Sequence, residues 1–303
     1  MIEIVKPPPF ATVQDFGFPA GRAWGLPPSG AMDPVLLGLA NGLVGNPPGA
    51  AAIEWALGPG TIRTDAKTRI AVLGVASIAV DDVVLEPPGL AFPVAAGATI
   101  SIEPGALHRY SYVAIAGGIA VPAVLGSRST YLPGGIGGLA GRRLQEGDRL
   151  EVGAATDASV GDFAVVVPEL REPAELDALV IRVVRGPQWD HFEAAARERF
   201  FREVFQVDVA SDRLGYRLSG APIQPREHST LASEAACPGA VQIPDGGQPI
   251  VLMPDGPTVG GYPKLAVVIR ADLRRLAQCG PGRSIRFREV SLEAARACYS
   301  EGR

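Results

Sequence analysis

Gly282-Arg283-Ser284-Ile285-Arg286-Phe287 opens on a turn glycine and then alternates polar with apolar side chains, the period-two signature of a strand with one buried face. The same design recurs at Gly147-Asp148-Arg149-Leu150-Glu151-Val152 and at Gly97-Ala98-Thr99-Ile100-Ser101-Ile102. Two of these hexapeptides close similar blocks, each trailing a Gly-Gly and a proline by a few tens of residues. Gly117-Gly118-Ile119-Ala120-Val121-Pro122 precedes one, and Gly260-Gly261-Tyr262-Pro263 precedes the other. The recurrence predicts a mainly β chain with a few short helices, built as two related β-barrel units in tandem. Gly (37) and Pro (28) are spread along the chain, as many short strands and tight turns require.

The regularity breaks over 156–178, where Pro168 and Pro173 stand among acidic residues ahead of a fresh strand at 179–184. The boundary is placed there, giving an N-terminal domain over 1–165 and a C-terminal domain over 166–303. Helices are few. Asp33-Pro34 supplies an N-cap and a proline for the first helical position, Leu36, Leu37, Ala40, Leu43 and Val44 fall on one face, and Gly45 ends the run. Asp190 with Glu193 reads as a capping box leading to Phe192, Ala196, Phe200 and Val204. Asp272 opens a short helix, and Ser291 opens a last one through Ala295.

With 303 residues, 47% hydrophobic and 20% charged, the chain fits a globular enzyme or an obligate component of a complex and lies far from disorder. A net charge of -4 gives no electrostatic case for nucleic acid or an anionic membrane. No apolar run approaches the roughly 20 residues of a membrane span. Met1-Ile2-Glu3-Ile4-Val5-Lys6 reads as a short strand rather than a signal peptide, so the expected compartment is the cytoplasm. Cys237, Cys279 and Cys298 form no CxxC pair, and His108, His191 and His228 stand far apart, so neither a disulfide framework nor a metal site is expected. The chain carries no Walker-type loop, no GxGxxG between strand and helix, and no GxSxG elbow; machinery for ATP or a carrier is expected elsewhere.

Candidate chemistry concentrates in 239–264. Gly239-Ala240-Val241-Gln242-Ile243-Pro244-Asp245-Gly246-Gly247-Gln248-Pro249-Ile250-Val251-Leu252, running on to Gly260-Gly261-Tyr262-Pro263, sets Gln242, Gln248 and Tyr262 beside glycine turns and buried strands. Neutral donors and acceptors at strand ends suit a planar polar ligand. Glu234, just ahead, is the best-placed general base, and Lys264, just behind, is placed to stabilise developing negative charge; a solvated glutamate and a surface lysine are the plainer alternatives.

Ser127-Arg128-Ser129-Thr130, followed by Pro133-Gly134-Gly135-Ile136-Gly137-Gly138, offers Ser127 and Arg128 to a carboxylate or phosphate, with the glycines bringing backbone close to a ligand. The alternative for Arg128 is a pairing with Glu54 or Asp148. Ser211-Asp212-Arg213-Leu214-Gly215-Tyr216-Arg217 places Arg213 and Arg217 on one strand face with Tyr216 between, able to orient a carboxylate; a charged strand edge is the competing reading. At Gly25-Leu26-Pro27-Pro28-Ser29-Gly30-Ala31-Met32-Asp33, a helix start can meet an anion, or Ser29 and Asp33 simply close the turn.

Thr12-Val13-Gln14-Asp15, Pro28-Ser29-Gly30-Ala31-Met32-Asp33, Gly126-Ser127-Arg128-Ser129-Thr130-Tyr131, Ser211 through Arg217, and Gln248 through Pro263 together resemble the biotin-dependent carboxyltransferase-like family, in order and over nearly the whole chain. That family includes the C-type component of bacterial 5-oxoprolinase, KipA, allophanate hydrolase subunit 2 and the carboxyltransferase region of urea carboxylase. The resemblance implies two tandem cyclophilin-like β-barrel domains. It also implies an obligate partner, the KipI-like B-type component of 5-oxoprolinase, with an A-type component for the full reaction. It implies an ATP-dependent opening of the lactam 5-oxoproline to glutamate, with ATP used through the complex. The alternatives it carries are transfer of a carboxyl group from carboxybiotin to urea or a related amide, and a non-catalytic regulator that binds a KipI-like kinase inhibitor. The chain has no biotin-attachment lysine flanked by methionines, which favours a stand-alone component over a full carboxylase. Val259 stands where many relatives have a second hydroxyl ahead of Gly-Gly-Tyr-Pro, a departure that bears on substrate choice.

Overall fold

The computed structural model describes residues 1–85, 91–105, 108–155, 178–226 and 231–301. They form two compact units. The boundary expected between 165 and 166 lies outside the described residues.

In the first unit the strands are β1 (Ile2–Lys6), β2 (Phe10–Gln14), β3 (Ala52–Ala56), β4 (Gly60–Thr64), β5 (Thr68–Leu73), β6 (Val75–Val80), β7 (Val83–Leu85), β8 (Ala91–Val94), β9 (Thr99–Pro104), β10 (Tyr110–Ile115) and β11 (Arg149–Leu150). They make a six-stranded sheet, β11-β1-β4-β9-β6-β7, and a five-stranded sheet, β2-β3-β10-β5-β8. Ile2, Ile4, Ile62, Ile100 and Ile102 from the first sheet share one core with Val13, Ile53, Trp55, Ile70 and Val113 from the second. The glycine-led strand at 97–102 appears as β9, and its inward isoleucines alternate with outward polar residues as the sequence requires. Helix α1 (Pro34–Leu43) starts where expected. Asp33 accepts a hydrogen bond from Leu36 N at 3.0 Å, Pro34 fills the first turn, and Leu36, Leu37, Ala40 and Leu43 are buried.

The second unit contains β12 (Leu179–Arg185), β13 (Phe205–Val207), β14 (Gly215–Ser219), β15 (Glu234–Ala235), β16 (Ala240–Gln242), β17 (Ile250–Leu252), β18 (Val259–Gly260), β19 (Lys264–Val268) and β20 (Ser284–Glu289). It also holds α2 (Ala194–Arg202), α3 (Arg270–Ala277) and α4 (Leu292–Glu301). Seven strands close a barrel in the order β12-β19-β16-β17-β14-β13-β20, and β15 pairs with β18 in a separate two-stranded ribbon. Phe200 of α2 stacks on Phe287 of β20 with centroids 4.5 Å apart, and Phe205 packs beside them.

Three local expectations change. The capping box at Asp190 and Glu193 does not form: residues Trp189–His191 make a 3-10 turn, Phe192 is extended, and Asp190 pairs with Arg197 at 3.0 Å instead. Asp272 lies inside α3, fully buried, because Arg182 holds it at 2.6 Å from the neighbouring strand. Arg213 and Arg217 do not share a strand face, since β14 begins at Gly215; Arg213 is buried while Arg217 is exposed.

Candidate functional site

Strand β19 carries the feature on which the site is built. Its ladder with β16 runs Ala240 to Val267 and Val241 to Ala266, then skips Leu265, so that Gln242 stands opposite Lys264. Such a β-bulge re-aims a side chain: in regular register Gln242 would face the fully buried Leu265. The result is a buried lysine and a buried amide on facing strand positions, each 4% exposed.

The β15–β18 ribbon adds the third group, because Glu234 pairs with Gly260. Gln242 Nε2 lies 2.7 Å from where a β-carbon on Gly260 would stand, so only a glycine leaves the amide its room. Glu234 Oε1 accepts hydrogen bonds from Lys264 Nζ and, at 2.6 Å, from Gln188 Nε2. Gln188 Oε1 in turn accepts from Lys264 N at 3.1 Å. The Lys264 hydrogen bond holds the Glu234 carboxyl below its usual range; desolvation is the next largest effect and opposes it, and the Lys264 charge, the Gln188 amide and nearby His191 add to the lowering. Glu234 is therefore ionised at neutral pH, with Oε2 free of hydrogen bonds among the described residues.

Gln242 Nε2 is buried and donates to no partner among the described residues. An orphaned amide of this kind costs about 1–3 kcal/mol, and it persists at sites where a ligand completes it. Tyr262, 47% exposed, follows Gly260 by two residues. In chemical terms the cluster offers two donors, one neutral and one cationic, and one ionised acceptor.

The other residues singled out in the sequence are placed differently. Arg213 makes a buried bidentate pair with Asp255, Nε to Oδ2 at 2.7 Å and a terminal nitrogen to Oδ1 at 2.9 Å. Tyr216 is fully buried, and its hydroxyl donates to Ala277 O at 2.5 Å. Gln248 spends both amide atoms on the backbone of Gly220, each at 3.0 Å. All three are thus engaged within the second unit itself.

Arg128 and Ser127 belong to the first unit. Arg128 pairs with neither Glu54 nor Asp148: its Nε donates to Val121 O at 2.9 Å and its side chain is exposed. Ser127 is buried, because Asp15 gathers the loop: its Oδ1 accepts from the Ser127 and Ser129 hydroxyls at 2.6 Å each, and its Oδ2 from Arg128 N at 2.6 Å. The glycines after Pro133 serve the same loop. A β-carbon on Gly137 would stand 2.0 Å from Ser129 O, and one on Gly138 1.9 Å from Thr130 Oγ1, so these glycines let the chain approach itself.

Two contributors escape sequence reasoning. Gln188 is a single amide in no pattern, its only signal being the Gly186-Pro187 turn that closes β12. Asp15 is a lone carboxylate whose partners in the Ser127–Ser129 loop are more than a hundred residues away.

A buried lysine, its paired glutamate and an amide with a spare donor thus stand together on a mainly β scaffold. The model of the family described as carboxyltransferase domain, subdomain A and B, matches residues 24–289, and the chain belongs to that family. It is 39% identical to the C-type component of 5-oxoprolinase from Escherichia coli strain K12, over 97% of this chain and 93% of that protein. It is 35% identical to the C-type component of 5-oxoprolinase from Haemophilus influenzae, over 97% of this chain and 93% of that protein. The crystal structure of Kluyveromyces lactis urea carboxylase matches with a TM-score of 0.91 and 30% identity, covering 99% of this chain and 28% of that one. No described helix is long and apolar enough to cross a membrane.

Proposed function

We propose that this chain is the C-type component of an ATP-dependent 5-oxoprolinase, and that Glu234, Lys264 and Gln242 act on the lactam. The observation that carries the reading is the juxtaposition of an unpartnered Gln242 Nε2 with the Lys264–Glu234 pair, in a chain that matches the Escherichia coli C-type component along 93% of that protein's length. The lactam carbonyl oxygen accepts from Gln242 Nε2 and Lys264 Nζ, and the lactam N–H donates to Glu234 Oε2. Transfer of that proton neutralises Glu234 and moves negative charge onto the carbonyl oxygen. Lys264, released from its pairing with an ionised carboxylate, then stabilises the oxygen. The imidate so formed is a better oxygen nucleophile than the lactam, and a phosphoryl donor such as ATP would capture it, with ADP leaving. Attack of water at the activated carbon then cleaves the C–N bond, with Glu234 returning its proton to the departing nitrogen, and leaves an acyl phosphate, which a second water hydrolyses to glutamate and inorganic phosphate.

ATP would enter through the complex, whose other members would be a KipI-like B-type component and an A-type component. The two bacterial relatives are themselves named as one lettered part of a 5-oxoprolinase, which supports that assembly. Of the two arginines singled out for the substrate carboxylate, Arg213 is held by Asp255, and Arg128 is exposed but belongs to the other unit. The cytoplasm is the compartment that fits this chemistry.

The structural likeness to urea carboxylase favours a second reading. Removal of an N–H proton by Glu234 equally makes the nitrogen of urea, or of a related amide, a nucleophile toward the carboxyl group of carboxybiotin.

Reconstitution tests the choice. The chain is combined with its B-type and A-type partners, ATP and 5-oxoproline, and glutamate is followed. Glutamate that needs all three proteins and no biotin supports the oxoprolinase reading. A verified complex that forms none, yet carboxylates urea in the presence of a biotinylated partner, replaces it with the second. Tight binding of a KipI-like partner with neither turnover leaves the regulator.

A further inference from the structure

Gln188 is the most constrained polar side chain near the cluster, and neither the sequence pattern nor the similarity to relatives assigns it a part. It sits at the start of the Trp189–His191 turn, 7% exposed. The turn lies directly on β19. Gly186 N donates to Leu265 O at 2.9 Å, Gln188 N to Lys264 O at 3.3 Å, and a β-carbon on Gly186 would stand 2.2 Å from Lys264 O. The regular ladder between β12 and β19 ends at Arg185 and Ala266. Beyond it the Gln188 side chain takes the place of a strand: its carbonyl accepts from Lys264 N, as a backbone carbonyl would. Its NH2 then reaches past the barrel to Glu234 Oε1 on the ribbon.

We infer that Gln188 is a positioning residue that ties the β15–β18 ribbon to β19 and fixes Glu234 with Oε1 bound and Oε2 presented to the substrate N–H. Without the strap, Glu234 is held by Lys264 alone through a single oxygen. A two-residue strand on an exposed ribbon, with a side chain 43% exposed, then rotates freely about that contact. The strap thus selects which carboxylate oxygen takes the proton. This inference rests on the proposed role of Glu234 as base.

The titratable side chains that bear on Glu234 are Lys264 from β19 and His191 from the turn, while Asp190 in the same turn is drawn to Arg197. Gln188 donates to the ionised carboxylate, so its removal raises the pH at which Glu234 gains a proton.

Two variants separate the lost strap from an added charge. Gln188→Met removes both contacts and adds no charge, whereas Gln188→Glu keeps the oxygen that accepts from Lys264 N but sets a second carboxylate against Glu234, which lowers the melting temperature and raises the Glu234 titration by repulsion alone. In the assembled three-protein complex, Q188M is therefore the test: it is expected to assemble, to keep its KM for 5-oxoproline, to lose roughly tenfold or more in kcat, and to move the acid limb of the pH–rate profile upward. Wild-type kcat and an unmoved acid limb in Q188M overturn the inference. A second readout does not depend on turnover. In the purified chain carrying carboxyl-13C glutamate, the Glu234 resonance is titrated in wild type and Q188M. An upward shift in Q188M supports the strap even if wild-type complex opens no lactam, whereas superimposable titrations sink it regardless of activity.

Discussion

Gln242 and Lys264 face each other across β16 and β19 because one residue, Leu265, is bulged out of the ladder between them. Both are 4% exposed, and only one of the two is satisfied: Lys264 is paired with Glu234, whereas Gln242 Nε2 has no partner among the described residues. If Gln242 binds substrate as proposed, stability and function pull in opposite directions at position 242, and this gives the first prediction.

Gln242→Met keeps the volume and removes the orphaned donor. The isolated chain should gain about 1 kcal/mol in stability, read as a higher denaturation midpoint, while the assembled complex loses about a hundredfold or more in kcat/KM. Gly260→Ala reaches the same atom from the ribbon, since its β-carbon would stand 2.7 Å from Gln242 Nε2. It should displace the amide and weaken substrate binding with little change in stability, because the end of a flexible side chain can move.

Arg213 should behave as a structural residue. Its partner Asp255 is 2% exposed, so Arg213→Ala takes the guanidinium from a buried carboxylate and should cost about 3 kcal/mol or more, read by thermal denaturation. Replacing both partners with apolar residues, Arg213→Met with Asp255→Leu, should recover most of that loss. A fully stable Arg213→Ala chain with impaired substrate binding would instead restore Arg213 as a ligand for the substrate carboxylate.

The pH dependence follows from Glu234, whose folded-state pKa is depressed from the ordinary 4.5, chiefly by its hydrogen bond to Lys264. A depressed carboxyl contributes stability that is present above the unfolded value and lost as pH falls through the lower folded value. Activity should thus hold down to the acid side of the usual glutamate range, and Lys264→Met should move Glu234 protonation toward higher pH. Parallel titrations of wild type and variant by carboxyl-13C NMR check the direction.

Asp15 should be essential to the first unit. Three of its bonds, from the Ser127 and Ser129 hydroxyls and Arg128 N, are 2.6 Å long, and Gly17 N donates to it at 2.8 Å. Asp15→Ala strands these donors, with Ser127 and Ser129 both buried, and should destabilise the unit by about 2–4 kcal/mol. Asp15→Asn, which preserves acceptor capacity on one oxygen, should lose less. Denaturant midpoints of the two variants test the order.

The strands and the first helix were legible because their causes are local. The alternation at 99–104 and 284–289 is a property of neighbouring residues, as is the Asp33-Pro34 start of α1. Glu234, Lys264 and Gln242 stood out as polar residues crowded among glycines and apolar strands, and the β16–β19 ladder and the β15–β18 ribbon bring them together. The bulge at Leu265 was not, because Lys264-Leu265-Ala266 shows no break in composition; the skip exists only in the pairing with β16. The roles of Arg213 and Gln188 escaped for a similar reason. Arg213 is decided by Asp255, 42 positions away, and Gln188 by Glu234, 46 positions away. The loop glycines after Pro133 were visible, but what they approach is the chain's own backbone at Ser129 and the Thr130 side chain rather than a ligand.

The most direct test of the central claim compares glutamate formation from 5-oxoproline and ATP by complexes assembled with the wild-type chain and with Lys264→Met, at matched complex concentration. Methionine fills the buried position and leaves the barrel intact, so assembly should be unchanged. Turnover should fall by about a hundredfold or more. A Lys264→Met complex that assembles and forms glutamate at the wild-type rate would contradict the account and place the chemistry outside this cluster.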